Sequence, residues 1–447
     1  MLTRNKQTLI GKYDVPGPRY TSYPTVPYWD PNTFSVKSWQ KELSRLEQPE
    51  VALYVHLPYC ESLCTYCGCN TRITKNHQNE RPYVDLLIKE WQMYKELLPV
   101  IPQVKELHFG GGTPTFFSPK NLKYLIENLL IDNQETPEIS LEGHPNNTTE
   151  EHLNVLFRLG AKRLSLGIQD FDPQVQKLIH RIQTFEQVKK VADLARNIGY
   201  QSVNFDLIYG LPGQTIETVT DTIDQTLQLL PDRIAFYSYA HVPWMKPAQK
   251  SFEKHLPNGQ EKRSLYEIGK VKLEEAGYFE IGMDHFALHS DDLTKAFFSG
   301  QLHRNFMGYT TQKTQTMIGL GASSISDLWT AFAQNEKTIE KYQEQISSGK
   351  LPIMRGHVLN DEDLQVRRNI LDLMCAFQTD FASWDESEFA LVKKRLREME
   401  LDQLVSWSGK QLKVETTGVP FIRNICMALD LRMMASQPTT QLFSQTV

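Results

Sequence analysis

Four of the chain's six cysteines fall within ten residues, Cys60-Glu61-Ser62-Leu63-Cys64-Thr65-Tyr66-Cys67-Gly68-Cys69. One buried cysteine behaves as a small hydrophobe, but several thiols in one loop invite a soft metal. Cys60, Cys64 and Cys67 form C-x3-C-x2-C, and Cys69 is an extra thiol two residues on. A four-thiol zinc site is the plain alternative, but it usually draws on two separated C-x2-C pairs, and here all four cysteines lie within ten residues.

Other residues suited to chemistry recur at intervals. Gly110-Gly111-Gly112-Thr113-Pro114 lets backbone groups approach a ligand. Glu142-Gly143-His144-Pro145, Gln169-Asp170, His180-Arg181, Asp206 and Tyr237-Ser238-Tyr239-Ala240 follow. Each alone could simply complete a turn. The apolar runs that precede them, at 51–57, 104–109, 138–142, 162–168, 202–208 and 233–240, alternate with helical patterns near 81–98, 119–130, 149–159, 184–198, 215–230 and 260–276. That rhythm predicts right-handed βαβ units and a parallel sheet, either doubly wound or a partial barrel. Both put chemistry at the carboxyl ends of the strands, where these residues all fall.

The rest of the chain frames this α/β region. With 447 residues it should hold more than one domain. No apolar run approaches the ~20 residues of a membrane helix, and the start reads as no export signal, so clustered thiols imply a reducing cytoplasm. A net charge of -5 argues against non-specific nucleic-acid binding. The expected units are an arm and helix over 1–45, the barrel over 46–290, a substrate-side extension and linker over 291–358, and a helical, winged-helix-like domain over 359–447. Within these, Lys12 to Thr25 reads as an extended arm rich in tyrosine and proline. The stretch 318–325 reads as a small-residue loop, 349–356 as a linker, and the end from Ser436 as frayed. A hairpin is expected at Leu404 to Val414, and Cys375 and Cys426 are expected in packed cores.

C-x3-C-x2-C after a first strand, with Gly-Gly-Thr-Pro after the second, resembles the radical S-adenosylmethionine (SAM) enzymes. The arm Pro16 to Thr25, Cys69, Gly210-Leu211-Pro212-Gly213 and His303 to Thr311 narrow this. Together they resemble the bacterial oxygen-independent coproporphyrinogen III oxidase family. The resemblance implies a partial (βα)6 radical SAM barrel. It also implies a [4Fe-4S] cluster on Cys60, Cys64 and Cys67, with Cys69 unligated and SAM, as one or two molecules, on the open iron. Carried over by position, the implied SAM contacts are Tyr54, Tyr66, Gly111, Gly112, Thr113, Glu142, Gln169, Arg181, Asp206, Ala240 and Ile325. The implied reaction converts two propionates of coproporphyrinogen III into vinyl groups, giving protoporphyrinogen IX for haem synthesis, by a monomer with an unidentified electron donor and acceptor. Arg19, Tyr20, His303 and Arg304 are candidates for the substrate's carboxylates, because guanidinium pairs bidentately with them. Two positions depart from the family pattern: His144 stands where Asp is expected and Met307 where Gln is expected. A haem-binding chaperone on the same fold is the alternative reading, and a zinc or cluster protein that binds nucleic acid is a third.

Overall fold

The computed structural model describes residues 4–47, 50–436 and 442–446. Its centre is six parallel strands: β1 Glu50–Leu57, β2 Gln103–Gly111, β3 Glu138–Gly143, β4 Ala161–Gln169, β5 Ser202–Tyr209 and β6 Arg233–Ser238. Helices α1 Glu80–Leu97, α2 Pro119–Leu129, α3 Glu150–Arg158, α4 Phe185–Ile198, α5 Ile216–Gln228 and α6 Gly259–Glu275 follow them in turn. The partial barrel is therefore the form the βα rhythm takes. Thr149, Thr184, Thr215 and Asn258 open α3 to α6 as capping boxes, each satisfying two orphan backbone donors.

Strand alternation divides the two faces. Ile139, Leu141, Leu164, Leu166, Val203, Phe205 and Leu207 pack with the helices in one core. The alternate positions are polar: Ser140 and Glu142 on β3, Ser165 on β4, Asn204 and Asp206 on β5. Register aligns them in rows, with Tyr54 opposite His108, His108 opposite Ser140, and Glu142, Ser165 and Asn204 side by side.

The sheet is wider than the rhythm predicts. β7 Tyr278–Gly282 and β8 His285–Leu288 add antiparallel strands beyond β6. On the other side, β9 Met317–Leu320 pairs parallel with β1, and β10 Ile325–Asp327, β11 Ala331–Asn335 and β12 Ile353–Val358 continue antiparallel, giving twelve strands in all. Of the small-residue loop expected at 318–325, residues 318–320 and 325 are strand and 321–324 form the turn between β9 and β10. Gly319 lies so close to the β10 backbone that an added Cβ would sit 2.5 Å from the Ile325 carbonyl oxygen. Much of the linker expected at 349–356 is likewise strand, held against β11 by the pairs Gln334–Arg355 and Ala333–Gly356.

The C-terminal region has its own core, built from helices Asp361–Ala376 and Glu386–Leu401 and a three-stranded sheet that contains the expected hairpin. Tyr13, Tyr20 and Tyr23 of the arm are buried in that core. Cys426 is fully buried there, and Cys375 is buried in a smaller neighbouring cluster. A helix, Arg4–Tyr13, takes in the first two residues of the expected extended arm, Lys12 and Tyr13. Residues 442–446 are not frayed: Pro16 bridges to Gln445, and the Gly17 and Thr446 amides complete the pairing. Residues 437–441 and 447, part of the end expected to fray, lie outside the described residues.

Candidate functional site

The cysteine loop is tied down at both ends and in the middle. Tyr59–Cys60 pairs with Arg72–Ile73 and closes the loop at its base. The Thr65 amide donates to the Ile179 carbonyl (3.1 Å), and Lys246 Nζ to the Cys69 carbonyl (2.7 Å). His56 donates from Nε2 to the Asn70 carbonyl (2.8 Å). A carbonyl can only accept, so Nδ1 is the bare nitrogen and takes the Tyr54 hydroxyl proton at 3.1 Å. Gln249, fully buried, sends its amide to the carbonyls of Tyr66 (3.0 Å) and Ala240 (3.3 Å), joining this loop to the segment after β6. Sequence reasoning missed Gln249, whose polar surroundings carry no signal.

The thiols of Cys60, Cys64 and Cys67 are half-buried and Cys69 is exposed. Burial pushes the Cys60 thiol up to about 11, opposed by the Thr113 hydroxyl, which donates to its sulfur at 3.4 Å. Arg181 Nη1 donates to Cys64 Sγ at 3.6 Å. A hydrogen bond with Cys69 holds Cys67 below the usual thiol range. Among the described residues, no three His, Cys, Asp or Glu side chains converge as ligands of one metal ion would. A four-iron cluster asks for something different, one thiolate per iron. Three half-buried thiols on an anchored loop beside a guanidinium and a hydroxyl donor fit that demand. Gly112 must be glycine here, because a Cβ would lie 2.7 Å from the Pro58 carbonyl and 3.0 Å from Cys60 Sγ.

Beside the loop, the row residues gather. Tyr54 stacks on His108 with ring centroids 6.0 Å apart, and His108 reaches Ser140 at 2.7 Å and Glu142 at 3.5 Å. Gly110 leaves room for both Tyr54 and Glu142, each 3.0 Å from where its Cβ would stand. Arg181 also donates to the Gly167 carbonyl, and the missing Gly167 side chain admits the Gln169 amide and the Arg181 guanidinium. Asp206 accepts from Ser165 (3.0 Å) and Asn204 (2.8 Å). Burial first, then the charge of Glu142, pushes its carboxyl up to about 7. Ile325 backs onto Gly319, which pairs with Tyr54. A cavity of ≈170 Å³ runs down the barrel interior, walled by Glu142, Asp206, Tyr237, His285, Met307 and Tyr309 among others.

The four substrate candidates are not equivalent. Arg19 donates to the Ser238 carbonyl (2.9 Å) at the end of β6 and lies 3.7 Å from Asp284. Tyr20 is turned into the C-terminal core, its hydroxyl on Asp430 at 3.0 Å. His303 and Arg304 lie in a hairpin, His303–Asn305 with Gly308–Thr310, where burial holds His303 down to about 4. Met307, at the tip of this hairpin, faces the cavity. His144 is held down to about 3 by burial and the neighbouring Arg181, and its Nδ1 accepts from the Asn146 amide at 3.1 Å.

The Radical SAM superfamily model matches residues 54–226. An oxygen-independent coproporphyrinogen III oxidase of Helicobacter pylori J99 is 38% identical over 94% of this chain and 95% of its own length. One from Escherichia coli K12 is 37% identical over 98% of both chains. The chain belongs to the oxygen-independent coproporphyrinogen III oxidase family. The solved coproporphyrinogen III oxidase of Escherichia coli, described as a radical SAM enzyme, superposes with a TM-score of 0.89 at 36% identity, over 92% of this chain and 97% of that one. Membership in this oxidase family brings the radical SAM cofactors, a [4Fe-4S] cluster and SAM. It does not favour the chaperone alternative, since relatives matched over nearly their whole length carry the oxidase name.

Proposed function

We propose that the protein carries out anaerobic oxidative decarboxylation of two propionates of coproporphyrinogen III, giving the divinyl protoporphyrinogen IX. The observation that carries the reading is that the C-x3-C-x2-C loop, the Gly111–Thr113 turn and Arg181 meet on the rim above the Glu142–Asp206 cavity. Cys60, Cys64 and Cys67 would hold the cluster. Bound there, the cluster would supply the electron for reductive cleavage of SAM, and the chemistry so provided would be removal of a hydrogen atom from the propionate β-carbon. The Gly111–Thr113 backbone, Glu142, Gln169, Arg181 and Asp206 bind and orient SAM. Their chemistry suits it, with carboxylates and amides for hydroxyl and amino groups and guanidinium for a carboxylate. Tyr54, Tyr66, Ala240 and Ile325 complete that wall. Loss of carbon dioxide and of one further electron to a separate acceptor would complete the vinyl group. The substrate-bound site must exclude water and oxidants to keep the primary radical from quenching.

The reading extends to a monomer working in the cytoplasm with separate electron donor and acceptor. Among the described residues no helix is long and apolar enough to cross a membrane.

The test is an anaerobic assay of cluster-reconstituted protein with SAM, a reductant and coproporphyrinogen III, following porphyrinogens and 5'-deoxyadenosine together. The divinyl product is expected, and Cys64→Ser abolishes both products. SAM cleavage without decarboxylation would mean another substrate.

A further inference from the structure

Met307, Tyr309 and Thr310 put the 303–310 hairpin on the cavity wall. Opposite Tyr309 in register, Arg304 lays its guanidinium 4.5 Å over that ring. Arg304 is only 8% exposed, and its Nε and Nη1 are buried with no hydrogen-bond partner among the described residues. Other buried arginines are engaged: Arg423 with three backbone carbonyls, Arg367 bidentately with Asp327, and Arg263 with Glu267. A buried charge without a counter-ion is strongly disfavoured, and the planar fork of a guanidinium matches one carboxylate. Arg304 does not itself line the cavity; it stands behind two residues that do, Tyr309 beneath its guanidinium and His285, whose imidazole is held down to about 4 by burial and then by the Arg304 charge.

We propose that Arg304 anchors a propionate carboxylate that the reaction leaves intact. This deepens the decarboxylation reading and rests on it. The reacting carboxylate is the poorer occupant, because pairing stabilises the anion relative to neutral carbon dioxide and so opposes its loss. A retained carboxylate gains affinity without that penalty. The hairpin that carries Arg304 also meets the C-terminal region, through the Tyr309 hydroxyl and the Met374 carbonyl (2.9 Å).

The experiment compares binding of coproporphyrin III and its tetramethyl ester to the full-length holoprotein by fluorescence quenching, with coproporphyrinogen III turnover measured alongside. Wild type should favour the free acid. Arg304→Gln should narrow that preference by about tenfold, as loss of one charged hydrogen-bonded pair implies, and raise KM with the cluster spectrum and SAM binding unchanged. Arg304→Met, suited to a buried position, gives the same readout if the Gln variant is unstable. A preserved acid-over-ester preference in the variant overturns the anchor. A wild type that binds the acid but never decarboxylates coproporphyrinogen III overturns the parent reading instead.

Discussion

At the scale of single residues, Asp206 carries the clearest pH signature. Its carboxyl, raised to about 7 by burial and by Glu142, is neutral in mildly acid solution. The fold favours this neutral form, so its contribution to stability is full below about 4, the unfolded value, and is lost as pH rises through about 7. A SAM molecule whose hydroxyl or amino groups need the ionised carboxylate should bind more tightly as pH rises through that range. Titration calorimetry on wild type should show the rise, and Asp206→Asn should flatten it while weakening SAM binding at pH 8 by roughly tenfold. His144 shows how a departure from a pattern can be locally silent. Its neutral Nδ1 accepts from the amide two residues on, the bond an Asp side chain makes in the same turn. The rim residues were legible one by one, since a thiol, a glycine turn or a strand-end carboxylate announces itself by type. The partner of each was not: nothing in the sequence says that Arg304 is left without a counter-ion or that Tyr20 turns away to Asp430.

At the scale of elements, the sheet holds the rim through a buried polar knot. Glu90 on α1 accepts from the Gly321 amide (2.8 Å), the Asn335 amide group (2.6 Å) and the Tyr342 hydroxyl (2.5 Å). Burial raises it to about 7 against all three donors. The knot fixes the turn between β9 and β10, whose Gly321 lies against the His56 carbonyl and so backs the cysteine loop. Glu90→Gln sets an amide N–H against a donor and should cost about 1–3 kcal/mol, read by urea unfolding of the apoprotein at pH 8. The six parallel strands and their helices were legible because a doubly covered strand is an apolar run and an amphipathic helix keeps its period. Strands β9 to β12 were not. They are short, the β9–β10 turn is rich in glycine and serine, and the one that joins them to the parallel sheet, β9, takes its pairing from β1, more than 260 residues away at Tyr54 and Gly319.

At the scale of the whole molecule, Arg423 clamps both ends of the described chain. It donates to the carbonyls of Gly17, Pro18 (2.9 Å) and Gln445 (2.8 Å), and so seats the arm that brings Arg19 to the end of β6. Arg423→Met strands these buried carbonyls and should cost at least about 2 kcal/mol. Limited trypsin digestion should then cut after Arg19, a bond the wild type protects. The clamp also sets an order in time. Arg423 lies 405 residues after Pro18, and at about 5–20 residues per second a ribosome needs roughly 20–80 s to cover that distance. Throughout synthesis the arm has no seat, and the rim at Ser238 stays bare. The mouth of the barrel at Ser238 is therefore finished last, after the thiol loop has long since emerged.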